Sequence, residues 1–132
     1  QYRRVLNFWQ GAYPRVKSSS LSLVCLHCVE PACVTACPEE AISKRVQDGL
    51  VVVDETLCTG CKLCAESCAF GVPQFGNDGI MQKCDLCLDQ QLALAVPPCV
   101  DTCPGAALSF IKISQSEKMV HEEKIARLLG SG

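Results

Sequence analysis

The sequence is poor in aromatic residues, has no strong excess of either charge and contains no long apolar run. Its 132 residues include one Trp, two Tyr and four Phe, and 12 Lys and Arg stand against 14 Asp and Glu. Because there is no basic stripe, nucleic acid is a poor candidate for a partner. No stretch of about 18 apolar residues occurs, so the sequence predicts no membrane-spanning helix.

Cysteine is the one residue type in clear excess, with twelve in the chain. So high a cysteine content is typical of a disulfide scaffold or a metal protein. Cysteine also counts as apolar, so the apolar core that remains without it is modest. We therefore expect metal ligation to supply part of the folding free energy.

The twelve cysteines form three groups of four, with none left over. Each group opens with Cys-x-x-Cys and closes with Cys-x-x-x-Cys. Proline follows the last cysteine of the first and third groups, as Pro38 and Pro104, whereas Ala69 follows the second. The groups are Cys25, Cys28, Cys33 and Cys37; Cys58, Cys61, Cys64 and Cys68; and Cys84, Cys87, Cys99 and Cys103.

Three kinds of chemistry use cysteines in such numbers, and the spacing favours one of them. Disulfides fit poorly, because the close Cys-x-x-Cys pairs strain the bridge geometry. Zinc commonly takes two such pairs separated by about 12 to 20 residues, and the third group, with a spacer of eleven, could pass alone. The second group could not, because Cys58, Cys61 and Cys64 put three thiolates on one tight loop. Iron–sulfur clusters are the favoured interpretation.

A [4Fe–4S] cubane presents iron atoms at the corners of a small cube, so a loop with a cysteine at every third position can bind three of them. Backbone N–H groups of such a loop can donate to the sulfides, which raises the reduction potential. The fourth cysteine is turned away, and in two-cluster ferredoxins it binds the other cluster. If the first two groups exchange their fourth cysteines, two complete sites result. They are cluster A, with Cys25, Cys28, Cys33 and Cys68, and cluster B, with Cys37, Cys58, Cys61 and Cys64.

The pattern between the cysteines predicts short elements of an α+β fold. Residues 41–44 and 50–53 form a hairpin with a turn at Gln47-Asp48-Gly49. Further strands are expected at 21–24, 80–83 and 107–113, with Ser18-Ser19-Ser20 as a loop, a turn at 77–79 and helix formers at 89–95.

A terminal helix is expected after Ser114, which forms a capping box with Glu117. Its apolar side chains, which either pack on the core or dock onto a partner, are Val120, Ile125, Leu128 and Leu129. The whole is expected to be a ferredoxin-like double-cluster fold with pseudo-twofold βαβ-type halves, rich in loops, plus this C-terminal helix. The predicted divisions are an N-terminal segment at 1–24, an iron–sulfur domain at 25–113 and a C-terminal helix and tail at 114–132.

The cysteine groups and their flanks resemble the iron–sulfur subunits of the dimethyl sulfoxide reductase superfamily. These are the electron-transfer partners of molybdenum or tungsten bis(pyranopterin) enzymes. The resemblance covers most of residues 1–110. The matching stretches are Tyr2-Arg3-Arg4-Val5, 28–38, 48–54, Cys58-Thr59-Gly60-Cys61, 70–75 and Lys83-Cys84-Asp85-Leu86-Cys87.

The resemblance implies four cysteine groups and four clusters, with the further group just upstream of Tyr2. We therefore expect the sequence to lack an N-terminal segment. By the same resemblance Cys84, Cys87 and Cys99 share cluster C with the last cysteine of the upstream group, and Cys103 completes a fourth cluster. The alternative is that Cys103 closes cluster C itself.

The function implied is a non-catalytic subunit that relays electrons between a larger molybdopterin or tungstopterin subunit and a membrane quinone-reactive subunit or another carrier. The alternatives are a soluble polyferredoxin and, from another class, a zinc-binding interaction module. An anaerobic host is expected. The compartment is expected to be the cytoplasm, or the outer face of the cytoplasmic membrane after export with the partner.

Some charged and titratable residues near the cysteines have two interpretations. His27 lies between Cys25 and Cys28 and is expected to be a flanking or exposed residue rather than a ligand, and His121 to be solvated. The lysines that either raise nearby cluster potentials or are plain surface charges are Lys44, Lys62 and Lys83. Asp85 and Asp101 either lower those potentials or are surface charges too.

Overall fold

The computed structural model describes residues 2–89 and 96–130. Six short strands and four helices carry the fold in this part of the chain. They are β1 (Arg4–Gln10), β2 (Lys17–Leu23), α1 (Ala32–Thr35), β3 (Ile42–Lys44), β4 (Val51–Val53), α2 (Leu63–Ser67), β5 (Gln74–Phe75), β6 (Met81–Gln82), α3 (Pro98–Asp101) and α4 (Gln115–Leu128). Most of the helix predicted at 89–95 lies outside the described residues.

The strands pair as three antiparallel ladders, β1 with β2, β3 with β4 and β5 with β6. The α+β class is confirmed, and the elements follow one another as β2–α1–β3 and β4–α2–β5, the order of two βαβ-type halves, although none of the described strands pair in parallel. Each pair is joined by a short connection, which suits antiparallel strands, whereas parallel strands need a long crossover. The pseudo-twofold relation between the halves stays a prediction.

Two of the predicted turns are found where the sequence places them. In the β3–β4 hairpin, Gly49 has φ +70° and the backbone N–H of Leu50 donates to Asp48 Oδ1 at 3.1 Å. In the β5–β6 hairpin, Ile80 N–H donates to Asp78 Oδ1 at 3.0 Å. Both aspartates accept the N–H two residues on, the local bond that favours this residue in turns.

Two other local predictions are wrong. Residues 18–20 are not a loop, because they belong to β2, where Ser20 pairs with Asn7 and its Oγ donates to Asn7 Oδ1 at 2.7 Å. The predicted strand at 107–113 is not in any ladder of the described residues. Strand formation requires a partner, and side-chain propensity at 107–113 does not supply one.

The core consists of two small clusters of buried side chains. The first core contains Leu23, Phe70, Val72 and Ile125, and therefore joins residues from all three predicted divisions of the chain. The second core contains Ile42, Val51, Cys64 and Met81. The predicted division of the chain into three segments stays a prediction.

Helix α4 begins with the predicted capping box. Ser114 N–H donates to Glu117 Oε2 at 2.9 Å, and Glu117 N–H donates to Ser114 Oγ at 3.3 Å. The predicted common face is only partly right, because Ile125 is buried and Leu129 packs beside it, whereas Val120 and Leu128 are exposed. Five residues of α-helix turn the chain through about 140° beyond one full turn, so Val120 and Ile125 point in different directions. No helix among the described residues is long and apolar enough to cross a membrane.

Candidate metal centres

Two small cavities are each lined by four cysteines. The first cavity is lined by Cys25, Cys28, Cys33 and Cys68. The second cavity is lined by Cys37, Cys58, Cys61 and Cys64.

Each cavity combines three cysteines of one group with the last cysteine of the other. These are the two sets that the crossover of the fourth cysteines predicts, although their binding of one cluster each stays a prediction. No three His, Cys, Asp or Glu side chains in the described ranges form a site for a single metal ion. A cubane cluster does not require such a site, because each thiolate binds a different iron.

Helices α1 and α2 position both sites. Cys33 lies in α1 and faces the first cavity, while Cys37, four residues later, lines the second. Helix α2 repeats this relation in reverse, since Cys64 lines the second cavity and Cys68 the first. The two helices contact each other. Two short segments, 33–37 and 64–68, therefore connect the two cavities, and each is less than two helical turns long.

A tight loop presents Cys58 and Cys61 to the second cavity. Gly60 has φ +71°, and a Cβ at this position would lie 2.5 Å from the backbone oxygen of Gly79. Only glycine fits this loop, because it tolerates positive φ and leaves room for the neighbouring turn. The N–H of Met81, which follows that turn, donates to Cys58 Sγ at 3.5 Å.

Other backbone N–H groups also point at cysteine sulfur. His27 N–H donates to Cys25 Sγ at 3.5 Å, and Leu86 N–H donates to Cys84 Sγ at 3.4 Å. Such bonds favour the thiolate and, at an iron–sulfur site, raise its reduction potential.

Burial raises the pKa of three of the cavity thiols, those of Cys28, Cys33 and Cys64, in the protein without metal. Burial, Glu122 and the thiols of Cys25, Cys68 and Cys33 together raise the pKa of Cys28 to about 12. Burial and the neighbouring cysteines raise the pKa of Cys64 to about 11. Thiolates this close together in apolar surroundings are stable only beside positive charge, which iron supplies when it replaces the protons. The donor set therefore fits a [4Fe–4S] cluster.

Cys84 of the third cysteine group lies near Cys25, which lines the first cavity. Burial raises the pKa of Cys84, and the proximity of Cys25 raises it further. Cys87 and Cys99 are near each other, since Cys99 is one cause of the raised pKa of Cys87, after burial and Asp85. The N–H groups of residues 105–108, that of Ala107 most strongly, lower the pKa of Cys103. Which cluster each of these four binds stays a prediction.

The structure separates the three lysines near the cysteines. Lys83 is 8% exposed and donates to the backbone oxygens of Val51 and Cys84. Lys44 is half-buried and donates to the oxygens of Cys28 and Val29 at 2.9 and 2.5 Å. Lys62 is exposed, with its Nζ 5.7 Å from the centre of the Phe75 ring. The surface-charge interpretation is therefore wrong for Lys83 and holds for Lys62.

His27 flanks the ligands as predicted, but it is not exposed. It is buried, and its Nδ1 accepts from the backbone N–H of Val51 at 3.0 Å. Burial, followed by the charges of Lys83 and Lys118, lowers the pKa of His27 to about 3, so that the ring is neutral at physiological pH. Its Nε2 has no hydrogen-bond partner among the described residues.

Two acidic side chains organise loops near the thiols. Asp85 Oδ1 accepts from Cys87 N–H at 2.8 Å, although the residue is exposed. Glu122 of α4 accepts from Val29 N–H at 3.1 Å and so binds this helix to the first cysteine loop. No local sequence pattern points to Glu122, because its contact lies 93 residues away along the chain. Asp101 and His121 are exposed, the latter as predicted.

Comparison with known proteins places the cysteine groups in one described family. Residues 16–113 match the family model of the 4Fe-4S dicluster domain. The sequence is 46% identical over 99 residues to one chain of the anaerobic dimethyl sulfoxide reductase of Escherichia coli, a match that covers 74% of the present chain and 48% of the relative.

Two further relatives are named as subunits of a dehydrogenase and of a second reductase. One subunit of the sulfite dehydrogenase of Allochromatium vinosum is 36% identical over 116 residues, covering 83% of the present chain and 48% of the relative. The beta subunit of the perchlorate reductase of Dechloromonas aromatica is 38% identical over 119 residues, covering 89% of the present chain and 35% of the relative. The chain thus spans about half the length, or less, of the curated relatives it matches.

Proposed function

Because this protein belongs to the 4Fe-4S dicluster domain family, we propose that it relays single electrons through [4Fe–4S] clusters as a non-catalytic subunit of an oxidoreductase complex. The observation that carries the proposal is the pair of cavities, each lined by four cysteines drawn from two groups. When bound, a [4Fe–4S] cluster accepts and releases one electron at a time.

The residues of this chain would bind the clusters, limit the access of water to them and set the charge around them. Thiolates of the first cavity would hold cluster A, and those of the second would hold cluster B. Phe70 and Val72 line the first cavity, and Phe75 and Met81 line the second, so that apolar side chains limit the access of water. Reduced access of water and fixed N–H donors are the means by which a protein sets the potential of such a site.

The close connection of the two sites supports a relay rather than two independent carriers. Cys33 and Cys37 are separated by one turn of chain, as are Cys64 and Cys68, and each pair links one cavity to the other. An electron that enters one site would therefore reach the other within the same rigid unit.

We further propose that the partner is a larger catalytic subunit with a molybdenum or tungsten pterin cofactor. The support is the naming of the relatives, each of which is a single chain or subunit of a dimethyl sulfoxide reductase, a sulfite dehydrogenase or a perchlorate reductase. The named substrates differ, so the substrate would be a property of the partner. The second electron partner would be a quinone-reactive membrane subunit or another carrier, on whichever side of the membrane the complex lies.

The third cysteine group would bind part of the relay. In the proposed arrangement Cys84, Cys87 and Cys99 hold a further cluster, with a fourth ligand that is either Cys103 or an upstream cysteine. The nearness of Cys84 to Cys25 supports its place next to cluster A.

Iron and acid-labile sulfide per chain, measured on anaerobically purified complex with reduced-state EPR, test the proposal. At four irons per cluster, about eight irons would mean clusters A and B alone, and about twelve or sixteen would add those that involve the third group. Zinc without iron would overturn the proposed function.

A further inference from the structure

Lys83 is a buried cation on the wall of the first cavity, beside Cys25, Cys28, Cys33 and Cys68. Lysine is almost never fully buried unless it is paired. Its two hydrogen-bond acceptors are the neutral backbone oxygens of Val51 and Cys84, and no carboxylate of the described residues forms an ion pair with it. The thiolates that line the same cavity as Lys83 are able to carry the balancing negative charge.

The edge of β4 holds the ammonium in place. Arg45 N–H donates to Leu50 O at 2.8 Å, and Asp54 N–H donates to Ala41 O at 2.7 Å. Because hydrogen-bonded and non-hydrogen-bonded pairs alternate along an antiparallel hairpin, the backbone N–H and C=O of Val51 point away from β3. The N–H of Val51 is bonded to His27 Nδ1, and its oxygen accepts from Lys83. Two side chains thus occupy the edge where a third strand would pair. Lys83 consequently lacks the freedom of a surface lysine.

The charge acts on one of the two cavities. Lys83 lowers the pKa of Cys33 and of Cys84, against the larger effect of burial on both thiols. It does not line the second cavity, where the nearby cation is the exposed Lys62. A buried charge is screened little by solvent and salt, whereas an exposed one is screened strongly.

We propose that Lys83 is a positioning residue that raises the reduction potential of the first site relative to the second. The inference rests on the proposed function. A group held by four thiolates becomes more negative when it gains one electron from the redox partner, and a fixed ammonium favours that reduced state. No bond forms or breaks in this step. The lysine thereby sets which of the two sites holds the electron.

Redox titration of the anaerobically purified complex, followed by EPR, tests the proposal on Lys83→Gln, Lys83→Met and Lys83→Arg. Lys62→Gln is the matched control, because it removes an exposed lysine from the wall of the second cavity. The signal of the first site is the one that Cys28→Ser alters. We expect each neutral variant to make reduction of the first site about tenfold less favourable, which is about 59 mV for one electron. The arginine variant and Lys62→Gln should leave both potentials near the wild-type values.

Three results would overturn the inference. One is a neutral variant with full iron content and unchanged potentials, and another is an equal shift of both signals. The third is loss of iron from both neutral variants while the arginine variant keeps it, which would make Lys83 a structural residue only. Absence of iron from the wild-type complex would instead refute the proposed function itself, so the two failures are distinguishable.

Discussion

Arg4 Nη2 lies 2.9 Å from the backbone oxygen of Gly71 and donates a hydrogen bond to it. The same nitrogen donates to the oxygen of Phe70 at 3.1 Å. These bonds join β1 to the segment that follows Cys68, and Phe70 is part of the wall of the first cavity. The N-terminal hairpin is therefore fastened to the first site, although none of its residues is a candidate ligand.

Replacement of Arg4 by alanine is expected to loosen this attachment. It removes two bonds from a charged donor, and because the side chain is exposed we expect a loss of about 1 kcal/mol in stability. The measurement is the temperature at which the cluster absorption of the complex is lost. Arg15→Ala, in the β1–β2 connection, is the control, since its side chain is exposed. Equal temperatures for the two variants would contradict the prediction.

The exchange of fourth cysteines predicts a reciprocal pattern in two serine variants. Cys68→Ser should alter the EPR signal of the site with Cys25, Cys28 and Cys33 and leave the other signal intact. Cys37→Ser should alter the signal of the site with Cys58, Cys61 and Cys64. The reference variants are Cys28→Ser and Cys61→Ser, each of which marks one site. If Cys37→Ser instead reproduces the spectrum of Cys28→Ser, the crossover is wrong.

Gly60→Ala should damage the second site through the backbone. The added Cβ meets the oxygen of Gly79 at 2.5 Å, and φ +71° is strained for alanine, at a cost of about 1–3 kcal/mol before the clash is added. We expect reduced iron content confined to the second site. Gly105→Ala serves as the control, because Gly105 lies just after the third group and a Cβ added there meets no atom within 4 Å. Full iron content in Gly60→Ala would show that the loop can move to accept the Cβ.

Ile125→Ala should detach α4 from the first core, at a cost of about 2–4 kcal/mol. Ile125 is buried against Leu23, Phe70 and Val72, whereas Leu128, one turn on, is 61% exposed. Leu128→Ala should change stability by no more than about 0.5 kcal/mol. Amide hydrogen exchange in α4 and at Val29, whose N–H is bonded to Glu122, measures the detachment. Equal exchange in both variants would contradict this packing.

The features that the sequence predicts well depend on neighbours within a few residues. The turns at Asp48 and Asp78 and the capping box at Ser114 are each closed by bonds to residues two or three positions away. Such features need no knowledge of the rest of the fold.

The features that were missed depend on distant parts of the chain. Ser20 lies in a strand because Asn7 and its neighbours in β1 pair with it, and no serine propensity predicts that. Buried Lys83 donates a hydrogen bond to the backbone oxygen of Val51, 32 residues earlier. Buried His27 accepts a hydrogen bond from the backbone N–H of the same residue. From the local sequence alone, a lysine and a histidine among cysteines are predicted to be surface residues. Their burial follows from their contacts with the edge of β4.

The capping box of α4 makes this helix sensitive to acid. The side-chain and backbone hydrogen bonds from Ser114 lower the pKa of Glu117 from its ordinary value of 4.5. A carboxyl group with a lowered pKa in the folded state stabilises the fold fully above its unfolded pKa and loses that contribution as the pH falls through the folded value. The exchange protection of the first-turn amides of α4, corrected for the intrinsic rate, should therefore fall below about pH 4.5. Glu117→Gln keeps an acceptor at the same place without a titrating group, so its protection should not change over this range. If both proteins lose protection in parallel, the acid sensitivity belongs to another part of the molecule.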